Sequence, residues 1–445
     1  MTTKASRVQT SLDLYEKAGQ LIPGKTQLIS RRASSFAHPV SPIYASSAKG
    51  SRFTDVDGNE FIDWVNCVTA VILGHADEVV DNAVKEQIDK GSLYTVNSAQ
   101  EIELAELLCE IIPSAEMVRY TKGGGEACAV AVRIARGTTG KDKILFSGYH
   151  GWHDWYQAAN WLVDPVTDEF PFSGIEPIGV PQALAGTALP FVYGDLDGLK
   201  KLFEENKGEV AAVMMEPMRS ERPPVGYLES VKQLCHDNGS ILIFDEVSCG
   251  WRISLGGAQE WLGITPDMSV FAKAMSNGYA MGCVVGARDL MEPADRMFIS
   301  SSYWSDNVGL AASVACINEL KRRDSTTQFR IIGEKVRAAL EGAIDSVGIS
   351  ATVTGIHTAP TISFDLPDPS IGPQINTLFI QEMSKRGIHS PTSFKATLAH
   401  SDEDIAITAE AAAESMKIIM RALEGELENL LEAEVKREPF RRLVT

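Results

Sequence analysis

Three stretches of the chain end or begin on side chains that could do chemistry. "ILIFDEV" closes an apolar run on two carboxylates, Asp245 and Glu246, and "MSVFAK" closes another on an amine, Lys273. "TKGGGEACAVAVRIARG" places Gly123, Gly124 and Gly125 before a helix-forming run. An ionised carboxylate out of water shifts its pKa or finds a cation, so Asp245 requires a positive partner. Burial lowers the pKa of a lysine and frees the neutral amine as a nucleophile. Glycines ahead of a helix leave backbone N–H groups open at the positive end of the helix dipole, where an anion can sit.

Each feature alone has an ordinary explanation. The glycines suit a tight turn, the acid pair a metal ligand, a helix cap or a solvated edge, and the lysine a surface position. The glycine spacing matches neither GxGxxG nor GxxxxGK[ST], which argues against a dinucleotide or a nucleoside triphosphate. In combination they supply one partner each for a phosphate, a pyridine nitrogen and an aldehyde, the three handles of pyridoxal 5'-phosphate (PLP). Val247, two residues beyond Asp245 in the same extended run, would share its side and lie against one face of such a ring, with Tyr149 on the other.

The elements that must position these groups are short apolar runs: "MVRYT" at 117–121, "KILFSG" at 143–148, "VAAVMME" at 210–216, "ILIFDEV" at 241–247 and "MSVFAK" at 268–273. Runs of this length and composition read as strands buried on both faces. Helical stretches such as "EACAVAVRIARG" and "YLESVKQLCHDNG" separate several of them, which predicts a mainly parallel, helix-covered α/β sheet. Ligands bind beyond the carboxyl ends of such strands, so one site would collect the glycines, Tyr149-His150-Gly151, Glu216, Asp245 and Lys273. "FTDVDGNEFIDW" alternates around Asp57-Gly58 as a hairpin does. After about residue 308 the texture turns helical again, with "HTAPTISFDL" as a strand and a charged terminal helix. The expected organisation is an N-terminal segment of a small domain (1–70), a large cofactor-binding domain (71–310) and a C-terminal small domain (311–445).

Acidic residues outnumber basic ones 59 to 41, a formal charge of -18, which disfavours a general electrostatic footprint for nucleic acid or anionic membrane. The N-terminus lacks the apolar core of a signal peptide and no segment approaches ~20 uninterrupted apolar residues, so a soluble cytoplasmic protein is expected. Seven scattered cysteines without a CxxC pair fit reduced thiols, and Cys67, Cys128 and Cys249 read as small packing residues. Trp152, Trp155, Tyr156 and Trp161 follow the Tyr-His-Gly turn as a substrate mouth, a hydrophobic lid or a dimer contact. His150 and His153 are candidate donors to substrate or cofactor; with no Cys or acid at metal spacing around them, no metal site is expected.

The segments "DVDGNEFIDW", "ILGHA", "GGGEACAVAVRIARGTTGKDKI", "GYHGWHD", "FDEVSCGWR", "GGAQEWLGITPDM" and "AKAMSNGYAMG" occur in an order that resembles the class III (subgroup II) PLP-dependent aminotransferases of fold type I, an aspartate aminotransferase-like fold with a smaller α+β domain. The glutamate-1-semialdehyde aminomutase-like branch is the most similar. The resemblance implies that Lys273 forms a Schiff base with PLP and moves protons, and that Asp245 binds the pyridine nitrogen. It implies further that Val247 and Tyr149 sandwich the ring, Gly124 and Gly125 hold the phosphate, and Glu216 lies close to the cofactor. Ser302 matches a residue that reaches the phosphate from the neighbouring subunit, which implies a homodimer with shared active sites. Arg31, with Arg32 adjacent, lies where relatives carry a substrate-carboxylate arginine. The implied activity is amino transfer between a small-molecule amino donor and a carbonyl acceptor. Intramolecular aminomutase chemistry and racemisation or epimerisation are the alternatives on the same residues. Two departures stand out: Lys122-Gly123-Gly124-Gly125 lacks the hydroxyls relatives offer the phosphate, and "NCVTAV" at 66–71 lacks the Ser-Trp pair of many aminomutase relatives.

Overall fold

The computed structural model describes residues 7–162, 177–218 and 220–437. The chain forms two compact units: one runs to Asp77 and resumes at Thr327, and the other is Glu78–Thr326. The expected boundary at 310/311 falls inside the helix Asn307–Arg322, which packs on the helix Glu78–Lys90 of the same unit.

In the first unit, β1 (Ala45–Lys49), β2 (Arg52–Asp55) and β3 (Glu60–Asp63) form an antiparallel meander. The Asp57-Gly58 turn joins β2 to β3 as the alternation predicts. Gly58 has a φ of +84°, a conformation open to glycine, and Asp55 Oδ1 accepts the N–H groups of Asp57 (3.0 Å) and Asn59 (2.7 Å).

The second unit is built on β4 (Met117–Thr121), β5 (Lys143–Ser147), β6 (Ala188–Pro190), β7 (Val210–Met215), β8 (Ile241–Asp245), β9 (Met268–Phe271) and β10 (Gly282–Gly286). They lie in the order β4-β10-β9-β8-β7-β5-β6. β6, β5, β7, β8 and β9 pair in parallel, and β10 is antiparallel to both β9 and β4. β4 therefore points the same way as β9, and the carboxyl ends of all the strands expected from the sequence share one edge.

Side chains alternate between the two faces. Ile144, Phe146, Ala212, Met214, Ile241 and Ile243 pack with the helix Gly124–Thr139, whereas Leu145, Val213, Met215, Leu242 and Phe244 pack with Leu199, Phe203, Leu228 and Val231 of the opposite helical layer. Full burial of a side chain of this size contributes about 1.5–3 kcal/mol. Both layers are apolar, which is why the central runs carry no polar alternation.

The first unit is completed by β11 (Ala351–Thr354) paired with β12 (Thr361–Phe364), by β13 (Ile388–His389) parallel to β3, and by the long helix Asp402–Arg421. That helix starts with a capping box between Ser401 and Asp404.

Candidate active site

Asp245 is the last residue of β8 and is 3% exposed. Its Oδ2 lies 2.7 Å from His150 Nδ1 and 3.5 Å from Cys128 Sγ, and its Oδ1 accepts the Val247 N–H at 3.0 Å. The Oδ1 atom retains acceptor capacity for one more donor. Glu246, its neighbour in sequence, does something else. It accepts the N–H groups of Ala258 (2.6 Å) and Gln259 (2.9 Å) and the Gln259 side-chain amide (3.3 Å), so it ties the loop after β8 to the start of the next helix. Burial pushes the Glu246 carboxyl up while those hydrogen bonds pull it down; burial wins.

Lys273 follows β9 after Ala272 and has a φ of +50°, a conformation disfavoured for a side chain that branches at Cβ or carries bulk. Such strain persists only where the surroundings fix it, and it concentrates at functional sites. Lys273 Nζ donates to Ser248 Oγ at 2.8 Å, three residues past Asp245. The amine and the acid thus come from adjacent parallel strand tips.

The glycine turn closes on both of these loops. Gly123 is the N-cap of the helix Gly124–Thr139 and no side chain caps it. A Cβ on Gly124 would lie 2.8 Å from Val247 Cγ1, and a Cβ on Gly151 would lie 2.6 Å from Gly125 Cα. Only glycine lets the turn, the Val247 loop and the 148–153 loop pack this closely. Lys122 does not face the turn as an open cation: its Nζ pairs with Asp306 Oδ2 at 2.7 Å, and its N–H donates to Glu126 Oε2 at 2.8 Å.

Glu216, directly after β7, is buried and accepts the Tyr149 N–H at 2.9 Å, which fixes the turn that presents Tyr149. The Tyr149 ring meets Tyr156 edge-on at 6.0 Å; the residue is 38% exposed, and the partial desolvation of its ring raises the phenol pKa. The aromatic cluster divides. Trp155 and Tyr156 are buried in the sheet core, with the Tyr156 hydroxyl donating to Gly148 O at 2.6 Å, whereas Trp152 is 68% exposed and stacks on His153 at 4.6 Å.

Spacing along the chain gave His150 no Cys or acid neighbour, but the fold supplies both. The donor atoms of Cys128, His150 and Asp245 lie within 4.8 Å of one another. Cys128 is therefore more than a packing residue: it is one helical turn beyond Gly124 and touches the carboxylate. Its distance of 117 residues from Asp245 is what hid it.

Ser302 is exposed on the loop before the helix Asn307–Arg322. Arg31 ends a short 3-10 turn in the first unit, where Arg31 and Arg32 both line a cavity of about 480 Å³ together with Tyr44, Cys67, His75 and His389. The Cys67 thiol is pushed up by burial and by the Asp63 charge, with Arg31 opposing.

These groups fit PLP. An uncapped helix start would suit a phosphate, a buried carboxylate with acceptor capacity left would suit a pyridinium, and an amine stands at the next strand tip. A buried, unpartnered His153 Nδ1 beside Gly125 adds a polar atom that lacks a partner among the described residues.

The class the fold and site define is matched by comparison: the family described as Aminotransferase class-III covers residues 34–423, and the chain belongs to it. Enzymes of this family use PLP to move an amino group between a donor and a carbonyl compound. The chain is 34% identical to a 3-aminobutyryl-CoA aminotransferase from Cloacimonas acidaminovorans over 94% of this chain and 99% of the relative. It is 32% identical to a glutamate-1-semialdehyde 2,1-aminomutase from Methanosarcina acetivorans, over 91% and 98%. Its fold matches an omega-transaminase from Sphaerobacter thermophilus with a TM-score of 0.81 at 27% identity, covering 92% of this chain and 98% of that one.

Proposed function

We propose that Lys273 is the catalytic amine and proton carrier of an intermolecular aminotransferase. The observation that carries this is the placement of Lys273 Nζ on Ser248, beside the buried Asp245 at the neighbouring strand tip. PLP, when bound, supplies the carbonyl that takes the amine and a ring that delocalises the electron pair left at the substrate carbon. Lys273 Nζ would hold and move the proton at the reacting carbon. Asp245, held by His150 and the Val247 N–H, would keep a proton on the pyridine nitrogen. Val247 and Tyr149 would flank the ring, and Glu216 holds the Tyr149 turn. Gly124 and Gly125 offer backbone N–H groups to the phosphate.

We assign the substrate carboxylate to Arg31, a planar guanidinium suited to bidentate contact; its neighbour Arg32 lines the same cavity. An anionic amino acid or keto acid is the substrate class this supports. The resemblance at Ser302 and its exposure support a homodimer in which Ser302 completes the partner's phosphate site. Among the described residues no helix is long and apolar enough to cross a membrane, and we place the enzyme in the cytoplasm.

The test is to load the purified protein with PLP, add single amino donors, and follow cofactor absorbance and products by mass. Donor-dependent conversion of the cofactor to its amine form, absent in Lys273→Ala, supports the proposal. Formation of an isomer from one compound without a second substrate replaces it with aminomutase or epimerase chemistry.

A further inference from the structure

The glycine turn has no side-chain hydroxyl of its own to offer a phosphate, and its immediate neighbours are engaged. Thr121 Oγ1 donates to Gly123 O at 3.2 Å, Lys122 Nζ pairs with Asp306 at 2.7 Å, and Glu126 accepts the Lys122 N–H. One polar atom beside the turn is different. His153 Nδ1 is buried and has no hydrogen-bond partner among the described residues, although a buried polar atom left unpaired costs about 1–3 kcal/mol. Its ring edge borders Gly125: a Cβ at position 125 would lie 3.4 Å from His153 Cε1 and 3.5 Å from Nδ1. A hydroxyl side chain built out from residue 125 would compete with the imidazole for the same space. The loop that carries His153 is pressed onto the turn by the Gly151–Gly125 backbone approach, and Trp152 stacks on the ring at 4.6 Å.

We propose that His153 is a cofactor-binding residue whose Nδ1 donates a hydrogen bond to the phosphate of PLP, replacing the hydroxyl contacts that Lys122-Gly123-Gly124-Gly125 cannot make. This rests on the PLP site described above. Gly125 and His153 then form a compensating pair: a Cβ at 125 would already stand in van der Waals contact with the ring edge, so a hydroxyl carried on it would reach the space the imidazole fills. Burial lowers the pKa of His153, against the nearby Glu126 and Asp154 charges, so the ring is neutral near neutral pH and carries one N–H to give.

The experiment titrates the cofactor-free protein with PLP and, separately, with pyridoxal, which lacks the phosphate, following tryptophan fluorescence. His153→Phe keeps the ring and removes the donor, and His153→Asn keeps a donor on a smaller side chain. The expected result for His153→Phe is about a tenfold or greater loss of PLP affinity with pyridoxal affinity unchanged, a milder loss for His153→Asn, and partial recovery in His153→Ala/Gly125→Thr. Wild-type PLP affinity in a folded His153→Phe overturns the proposal. So does an equal loss toward PLP and pyridoxal, which marks a packing role. If the unmodified protein binds neither compound, the PLP reading itself falls.

Discussion

His150 Nδ1 and Asp245 Oδ2, 95 residues apart in the chain, meet at 2.7 Å in the core of the larger unit, with the Cys128 thiol on the same oxygen. A buried carboxylate is thereby held in place by two side chains and by the Val247 N–H before any ligand arrives. The ring of His150 is fixed in turn by Ser147 O, 3.2 Å from Nε2.

Removing the imidazole leaves Asp245 with a weak thiol donor and one backbone N–H. A buried hydrogen bond to a charged group contributes about 1.5–3 kcal/mol, so His150→Phe should lower stability in urea by about that amount. Cys128→Ala should lower it by about 1 kcal/mol, mostly through lost packing. Measured on the protein without added cofactor, a change below about 0.5 kcal/mol for His150→Phe contradicts the pairing.

Most of the fold was legible because the strands buried on both faces are continuous apolar runs, and the carboxyl ends of those runs name the site. β6 and β10 were not legible: "ALP" is three residues long, and "GCVVG" is bracketed by glycines that read as turn. The Asp245, Lys273 and glycine stretches were visible locally. Cys128, His150 and Ser248 as partners were not, because side-chain pairing across strands follows from register and not from spacing. The turn at 66–69 is the clearest tertiary override. Asn66, Cys67, Val68 and Thr69 all take positive φ (+51° to +71°), which two β-branched residues strongly disfavour. Asp63 Oδ1 holds the turn by accepting the N–H groups of Val65 (2.8 Å) and Asn66 (3.0 Å).

Gly151 and Gly179 allow backbone preference to be separated from close approach. Both have positive φ, +96° and +85°, but a Cβ on Gly179 meets nothing within 4 Å among the described residues, whereas one on Gly151 meets Gly125 Cα at 2.6 Å. Gly179→Ala should cost about 1 kcal/mol. Gly151→Ala must also displace backbone at the Gly123–Gly125 turn, and we expect a loss of about 3 kcal/mol or more together with weaker PLP binding. Equal melting temperatures for the two variants would refute this account of the turn.

The Lys122–Asp306 pair links the residue before the glycines to the start of the helix Asn307–Arg322, where Asp306 also caps the N–H groups of Val308 and Gly309 at 3.2 Å. Asp306→Asn keeps the cap and removes the charge; Lys122→Met keeps the stem and removes the charge. The two side chains are about one-fifth exposed, so a coupling of about 1 kcal/mol is expected from the double-mutant cycle. A coupling indistinguishable from zero would mean the pair does not hold the turn.

Glu319 gives the fold a defined acid sensitivity. Near the end of the helix Asn307–Arg322, it accepts hydrogen bonds from Arg322 (2.6 and 2.7 Å) and Arg323 (2.5 Å). Chiefly through Arg322, and against the opposing effect of burial, its carboxyl is held down to about 2. The folded value lies below the ordinary one of about 4.3, so the charged form is favoured by folding. The stabilisation is therefore complete above about pH 4.3 and is lost as pH falls through about 2. The full shift would correspond to about 3 kcal/mol. Arg322 is 68% exposed, and solvent screening reduces the expected contribution to about 1 kcal/mol. Glu319→Gln should accordingly be less stable than the parent by about 1 kcal/mol near pH 7 in urea titrations, with the gap closing as pH drops from about 4.5 toward 2. A gap that widens on acidification would show that the carboxylate is not stabilised by its arginines.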